Sequence, residues 1–246
     1  MILHNIIPDW TAPKHVVAFT TTRVGGVSLP PFHGNNMGMH VGDYRPDVQY
    51  NRAQLMRLHQ LTKEPAWLEQ THSSRCIVVE QVSDRIADAA ITRCAQQPLV
   101  IMTADCLPIL LCNLQGDEVA AIHAGWRGLV NGVIENTLTQ MDSPANSLLA
   151  WIGPAICQAC FEVGKEVYEA YLARYPQTHQ AFRIHGDKYL ANLPKMAEWV
   201  LKSAGVCQVY QSGICTYEQK NRLYSYRREP NTGRMASLIW FHHQTG

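Results

Sequence analysis

The sequence predicts an α+β fold, a sandwich built around a large mixed β-sheet, and three observations carry that reading. Two near-continuous apolar runs, Leu99–Met102 and Leu107–Cys112, read as strands buried on both faces. Three segments, 129–141, 163–175 and 189–204, show helical spacing of apolar residues, with Gly205 placed to end the last. No repeat, low-complexity tract or linker interrupts the 246 residues. One core can organise a chain of that length, so residues 1–246 are expected to form a single domain.

The remaining elements follow in chain order. Val16-Val17-Ala18-Phe19 reads as a strand that runs into Thr20–Ser28, where Gly25-Gly26 permits a sharp turn. The loop from Leu29 to Asp43 is long and rich in Pro, Gly, Asn and His, a pattern that favours function. Asp47 is placed to cap a helix with Leu55, Leu58 and Leu61 on its buried face. Ile77-Val78-Val79 is a short strand, and Gln115-Gly116-Asp117 turns the chain into Val119–Ile122. Further strands are expected at 148–152, 206–209 and 237–241.

Composition narrows the function. Lys and Arg total 21 against 20 Asp and Glu, a net charge of +1. That balance argues against a general nucleic-acid or membrane-surface binder, which needs a positive excess. No run of eighteen apolar residues is present. Met1–Asn5 lacks a basic stretch and the first apolar run stops at Pro8, so no signal peptide and a cytoplasmic location are expected. Arg outnumbers Lys 14 to 7, and the chain carries 11 His and 8 Cys. Guanidinium is the cation of choice for bidentate recognition of phosphate or carboxylate, so a site for a small anionic ligand is expected.

In a reducing compartment the eight thiols are not expected to pair. Cys157-Gln-Ala-Cys160 is a C-x-x-C match, but a zinc ribbon needs a second such pair and none follows. Its place after Gly153-Pro154, in a loop, also argues against thioredoxin-like chemistry. Cys76, Cys94 and Cys112 lie in apolar stretches and read as small buried hydrophobes. Cys106 differs, because Asp105-Cys106 interrupts the most hydrophobic stretch of the chain.

Three segments place a reactive residue at the mouth of an apolar strand: Gln70-Thr71-His72-Ser73, Thr103-Ala104-Asp105-Cys106 and His123-Ala124-Gly125-Trp126-Arg127-Gly128. The last leads into a helix whose first N–H groups, two glycines and Arg127 would make a phosphate cradle. Brought together, His72, Cys106 and His123 permit two kinds of site. One thiolate and two imidazoles suit zinc with an open fourth position, where bound water reaches a pKa of about 7. Alternatively, Cys106 is a thiolate nucleophile and His123 its base.

These motifs stand in order with Thr21–Ser28, His40-Val41-Gly42-Asp43, Ile152–Ile156, Phe161-Glu162-Val163-Gly164, Cys215-Thr216 and Tyr224-Ser225-Tyr226-Arg227-Arg228. Together they closely resemble the YfiH-type laccase-domain family, also called the polyphenol oxidase-like or peptidoglycan editing factor family, from about Phe19 to Ile239. The one departure is Glu229-Pro230, where the family more often carries Asp-Gly.

The resemblance implies a single-domain α/β/β/α sandwich and a zinc site made by His72, Cys106 and His123. It also implies phosphorolysis of adenosine, inosine and S-methyl-5′-thioadenosine, and deamination of adenosine. On that reading the partners are a purine nucleoside and phosphate, not nucleic acid or membrane, and the chain is a monomer or weak homo-oligomer. Arg23, Arg127 and Arg228 are the candidate phosphate donors, with surface ion pairing as their other reading. Asn36 and Gln70 are candidate ribose or base contacts. Asp105 is a candidate proton carrier or orienter of a metal ligand. Trp126 reads as core packing or a purine stack.

A laccase needs many His ligands, typically in His-x-His pairs, and the chain has none, so copper-dependent polyphenol oxidase activity is read as secondary. Divalent copper does outcompete zinc at most nitrogen and sulfur sites. The fold implied also resembles that of toxin deamidases with a Cys-His dyad. A metal-independent hydrolase editing a cytoplasmic peptidoglycan precursor is therefore the alternative function.

Overall fold

The computed structural model describes residues 4–243, so the expectation about the first three residues lies outside it. A four-stranded sheet has the order β1 (Val16–Thr20), β13 (Met235–Phe241), β5 (Leu99–Thr103) and β2 (Ala66–Trp67). A six-stranded sheet has the order β12 (Gln208–Gln211), β8 (Leu148–Ile152), β6 (Leu107–Asn113), β7 (Val119–Ala124), β4 (Ala89–Thr92) and β3 (Cys76–Val78). β6 pairs antiparallel with both β7 and β8, whereas β8–β12 and β3–β4 are parallel. A small third sheet joins β9 (Glu162–Val163) to the hairpin β10 (Phe182–His185) and β11 (Lys188–Ala191).

Strand periodicity explains the layers. Along β6, Leu110 and Cys112 face the four-stranded sheet, meeting Leu99, Ile101 and Ile239. Ile109 and Leu111 face the opposite way, onto α3 (Val133–Leu138), α4 (Lys165–Arg174) and α5 (Leu193–Ser203). On the far side, Val100, Leu238 and Trp240 pack on Leu55 of α1 (Arg45–Leu58). The order is helix, sheet, sheet, helices, the α/β/β/α sandwich the resemblance implies. Each fully buried Leu or Ile contributes about 1.5–3 kcal/mol, so both faces of the central strands anchor the site at their ends. No helix among the described residues is long and apolar enough to cross a membrane.

Several expectations are corrected. The helix expected over 129–141 is two, α2 (Trp126–Val130) and α3, separated at Gly132, whose φ of 90° ends one helix and starts the next. The helices expected from 163 and 189 start later, because β9 and β11 occupy those positions and pair with each other. Asn192 accepts a hydrogen bond from the Lys195 amide and Pro194 sits in the first turn, which fixes where α5 begins. Asp47 does not cap α1; Tyr44 is the N-cap and Asp47 lies in the first turn. Leu55 is buried and Leu61 packs beside it, but Leu58 is exposed. Cys76 and Cys112 are buried as expected, whereas Cys94 is exposed. The strand expected at 206–209 runs from Gln208 to Gln211, and the one at 77–79 from Cys76 to Val78.

Candidate functional site

The site lies where β5, β6 and β7 end. Leu107 of β6 pairs with Ala124 of β7, so Cys106 and His123 arrive side by side from adjacent antiparallel strands. His72 comes from the loop after β2, which Gln70 ties to β5 by accepting from the Met102 amide and donating to its carbonyl, both at 2.8 Å. Two of the site's residues sit in the left-handed region, His72 with φ 61° and Asp105 with φ 107°. Such positions cost about 1–3 kcal/mol each and persist only where surroundings enforce them.

The donor atoms of His72, Cys106 and His123 lie within 4.8 Å of one another. The two imidazoles meet edge to face, with ring centroids 4.9 Å apart. Gly125 forms the floor: a Cβ there would stand 3.0 Å from Cys106 Sγ and 3.0 Å from His72 Cδ2. A methyl there would push both neighbours aside by a few tenths of an ångström.

Asp88, which sequence reading missed, organises the cluster. It is wholly buried, and its Oδ1 lies 2.7 Å from His123 Nδ1. The same carboxylate accepts the backbone N–H groups of Thr71, His72 and Ser73 and the Ser73 hydroxyl. Burial works against its charge, but these donors and His123 hold its pKa down at about 2. Asp88 immediately precedes β4, a strand too short and alanine-rich to attract notice in the sequence. With Nδ1 committed to Asp88, His123 presents Nε2 to the cluster.

Cys106 and His123 polarise each other. Burial raises the Cys106 thiol, but hydrogen bonds and charge from His123 and His72 outweigh it and bring the pKa to about 6. Burial lowers His123, and Asp88 with Cys106 raises it to about 9. A cation held here would take two imidazoles and one thiolate, a donor set suited to zinc or copper.

The cluster opens into a cavity of about 410 Å³, walled by Met102, Thr103, Ala104, Ile156, Phe161 and Leu193, with Trp126 and Tyr226 as aromatic sides. Three guanidiniums reach it, from Arg127, Arg227 and Arg234, together with His40. None of these four forms an ion pair among the described residues. Burial first, then Arg234 and Arg52, lowers the His40 pKa, so this imidazole faces the cavity neutral. Thr103 is buried and its hydroxyl has no partner among the described residues.

The structure redistributes the sequence-derived candidates. Gln70 and Arg127 line the cavity, although both ends of the Gln70 amide are spent on Met102. Arg23 does not line it; it donates to the Lys220 carbonyl and stacks over Tyr224. Arg228 is turned away, donating to the carbonyls of Thr216, Tyr217 and Leu223. Asn36 is fully buried and braces Gly38, Asp43 and the Arg234 amide. Asp105 lines the cavity, but its oxygens accept from Thr216 Oγ1 and the Arg227 amide rather than from a metal ligand. Orientation of the ligands falls to Asp88 instead. The motif Tyr226-Arg227-Arg228 did mark the site, but through Arg227, the partner that was not singled out.

Fold and cluster together define a class: an α/β/β/α protein with a His2Cys donor cluster opening into a cationic cavity. The chain belongs to the YfiH-type family described as multi-copper polyphenol oxidoreductase laccase, whose pattern matches residues 17–242. It is 45% identical over 237 residues to the purine nucleoside phosphorylase YfiH of Shigella flexneri, covering 96% of this chain and 98% of that one. It is 44% identical to a purine nucleoside phosphorylase of Haemophilus influenzae, covering 97% and 100%. Among solved structures, the Neisseria meningitidis protein NMB0706 superposes with a TM-score of 0.93 at 40% identity, covering 97% of this chain and 99% of that one.

Proposed function

We propose that this chain is a purine nucleoside phosphorylase. It would convert adenosine, inosine and S-methyl-5′-thioadenosine to free base and ribose 1-phosphate or its methylthio counterpart, and deaminate adenosine to inosine. One observation carries the reading: three guanidiniums without carboxylate partners among the described residues share a cavity with the His2Cys cluster. Phosphorolysis needs this, because a phosphate dianion must be held against the ribose while one of its oxygens bonds to C1′ and the C1′–N9 bond breaks. Relatives carrying the name purine nucleoside phosphorylase across nearly the whole chain support it.

Arg127, whose guanidinium makes no hydrogen bond to a carboxylate and lies over the Trp126 ring, is the principal phosphate donor, with Arg227 and Arg234 beside it. Neutral His40 supplies an uncharged contact. Phe161, Tyr226 and Trp126 offer apolar surface to the purine. Asp105, its pKa raised by burial, is the cavity wall's candidate proton carrier for the departing base. His72, Cys106 and His123 would hold zinc, which when bound supplies a Lewis acid and activates water, the chemistry deamination requires. Copper in the same donors is the proposed basis of a secondary oxidase activity. The enzyme is placed in the cytoplasm, as a single-domain monomer or weak homo-oligomer.

The test is chromatographic. Adenosine with phosphate should yield adenine and ribose 1-phosphate, with inosine appearing in parallel, and zinc should co-purify. Lack of phosphate-dependent turnover with all three nucleosides would refute it.

A second reading is favoured by one geometry. Cys106, His123 and Asp88 stand as nucleophile, base and orienting carboxylate. A metal-independent amide hydrolase acting on a peptidoglycan precursor would retain activity under chelation and lose it on alkylation of Cys106.

A further inference from the structure

Outside the cavity, a second cluster gathers Cys157, Cys160, Cys215 and Glu218, with all four donor atoms within 4.8 Å of one another. Cys157 caps a short 3₁₀ turn that ends on Cys160, and Cys215 is brought to them by a parallel bridge between Ala155 and Cys215. The pattern is C-x-x-C followed by Cys215-Thr-Tyr-Glu218, a C-x-x-E. The second half of the motif missing from the sequence is therefore present with a carboxylate in its last place.

The geometry has the marks of a ligand knuckle. The Cys157 amide donates to Cys215 Sγ at 3.3 Å, which fixes where that sulfur points. Cys215 is buried, Cys157 and Cys160 are half-buried, and Glu218 reaches in from the surface with no ion pair among the described residues. A zinc tetrahedron with Zn–S of about 2.3 Å has edges of about 3.8 Å, so the four donors close on an ion with shifts of about 1 Å. Without a cation, burial and mutual repulsion with neighbouring thiols raise the Cys157 and Cys160 pKa values.

We propose that Cys157, Cys160, Cys215 and Glu218 form a second, four-coordinate structural zinc site. The donor set is full, leaving no open position, so the role is mechanical. It staples segment 154–161 to segment 214–219, directly behind the cavity. Ile156 donates its amide to the Asp105 carbonyl, and Thr216 holds the Asp105 carboxylate at 2.6 Å. Phe161 lines the cavity itself. The ion would thus fix the wall that carries Asp105 without touching substrate, and this holds whatever reaction the cavity performs.

The two centres can be read separately by metal content and by cobalt(II) absorption, whose thiolate charge-transfer intensity rises with the number of sulfur ligands. Cys106→Ala, which removes the thiolate of the first centre, should retain one cobalt ion per chain with the strong band of three thiolates. Cys157→Ser/Cys160→Ser should lose that band and keep the weaker one-thiolate band of the first centre. Hydrogen exchange at 154–161 and 214–219 should rise on its metal loss, and should not rise in Cys106→Ala. If the serine variant fails to fold, Cys106→Ala alone still decides the matter. Folded Cys106→Ala protein without a three-thiolate cobalt band would overturn the site. So would a disulfide among these cysteines in anaerobically purified protein. Neither outcome bears on phosphate-dependent turnover.

Discussion

Asp88 Oδ1 stands 2.7 Å from His123 Nδ1, while the same carboxylate accepts the backbone amide of His72 at 3.0 Å. One buried charge therefore sets the ring of one histidine and the backbone of the other. Replacing it with the isosteric amide, Asp88→Asn, keeps the shape but removes the charge and breaks the tautomer control. Metal affinity should fall about 10- to 100-fold, measured by competition with a chromophoric chelator. Unchanged affinity in a folded variant would show that the carboxylate acts only on the loop.

Gly125 has an ordinary φ of −66°, so alanine is compatible with its backbone but not with its neighbours. Its methyl would press on Cys106 Sγ and His72 Cδ2. Gly125→Ala should lose most of its metal while paying about 1–3 kcal/mol in stability for overpacking. Elemental analysis beside a thermal melt separates the two effects.

Metal-free protein should show a thiol at half-buried Cys106 that is more reactive than buried Cys76 and Cys112. Its pKa of about 6 makes alkylation rise as pH increases through 6 and level off near neutrality, since the thiolate is the nucleophile. Burial pushes Cys76 up to about 11 and Cys112 up to about 12, so both stay inert over that range. Peptide mass spectrometry after brief iodoacetamide treatment reads each site. Added zinc should protect Cys106, and a flat pH profile would contradict the Cys106–His123 pairing.

Arg127 and Arg228 should behave oppositely on truncation. Arg127→Ala should raise the KM for phosphate at least about tenfold with little change in melting temperature, because its guanidinium has no carboxylate partner to lose. Arg228→Ala strips donors from three carbonyls and should cost about 3 kcal/mol, with KM in the surviving folded fraction near that of the parent. Phosphate saturation curves and denaturant melts on both variants test the contrast.

What the sequence made legible follows from range. Leu107–Cys112 and Leu148–Ile152 announced themselves because burial on both faces leaves an uninterrupted apolar run. His72, Cys106 and His123 were legible as strand-mouth residues, since a polar side chain at the end of such a run needs a reason. Asp88 was not, because its importance lies in partners 15 and 35 residues away and the short strand after it has no long apolar run. Glu218 escaped because a carboxylate in a cysteine pattern breaks the expected letter while keeping the donor. Helix starts near 163 and 189 were misplaced because β9 forms by pairing with β11, and β11 by pairing with β9 and β10, while each stretch read alone carries helical spacing.

The left-handed backbone at His72 has a kinetic consequence. Cys106 and His123 are fixed at the ends of paired strands, whereas His72 sits on an exposed loop that Asp88 holds by its amides. A cation bound there would thus meet three donors unequal in how fast they can let go. Ion exchange with solvent should pass through His72 opening first, leaving a two-coordinate remnant on the sheet. Changes in loop 69–75 would then alter how quickly the centre loads and empties, while changes in β7 would alter how tightly it holds.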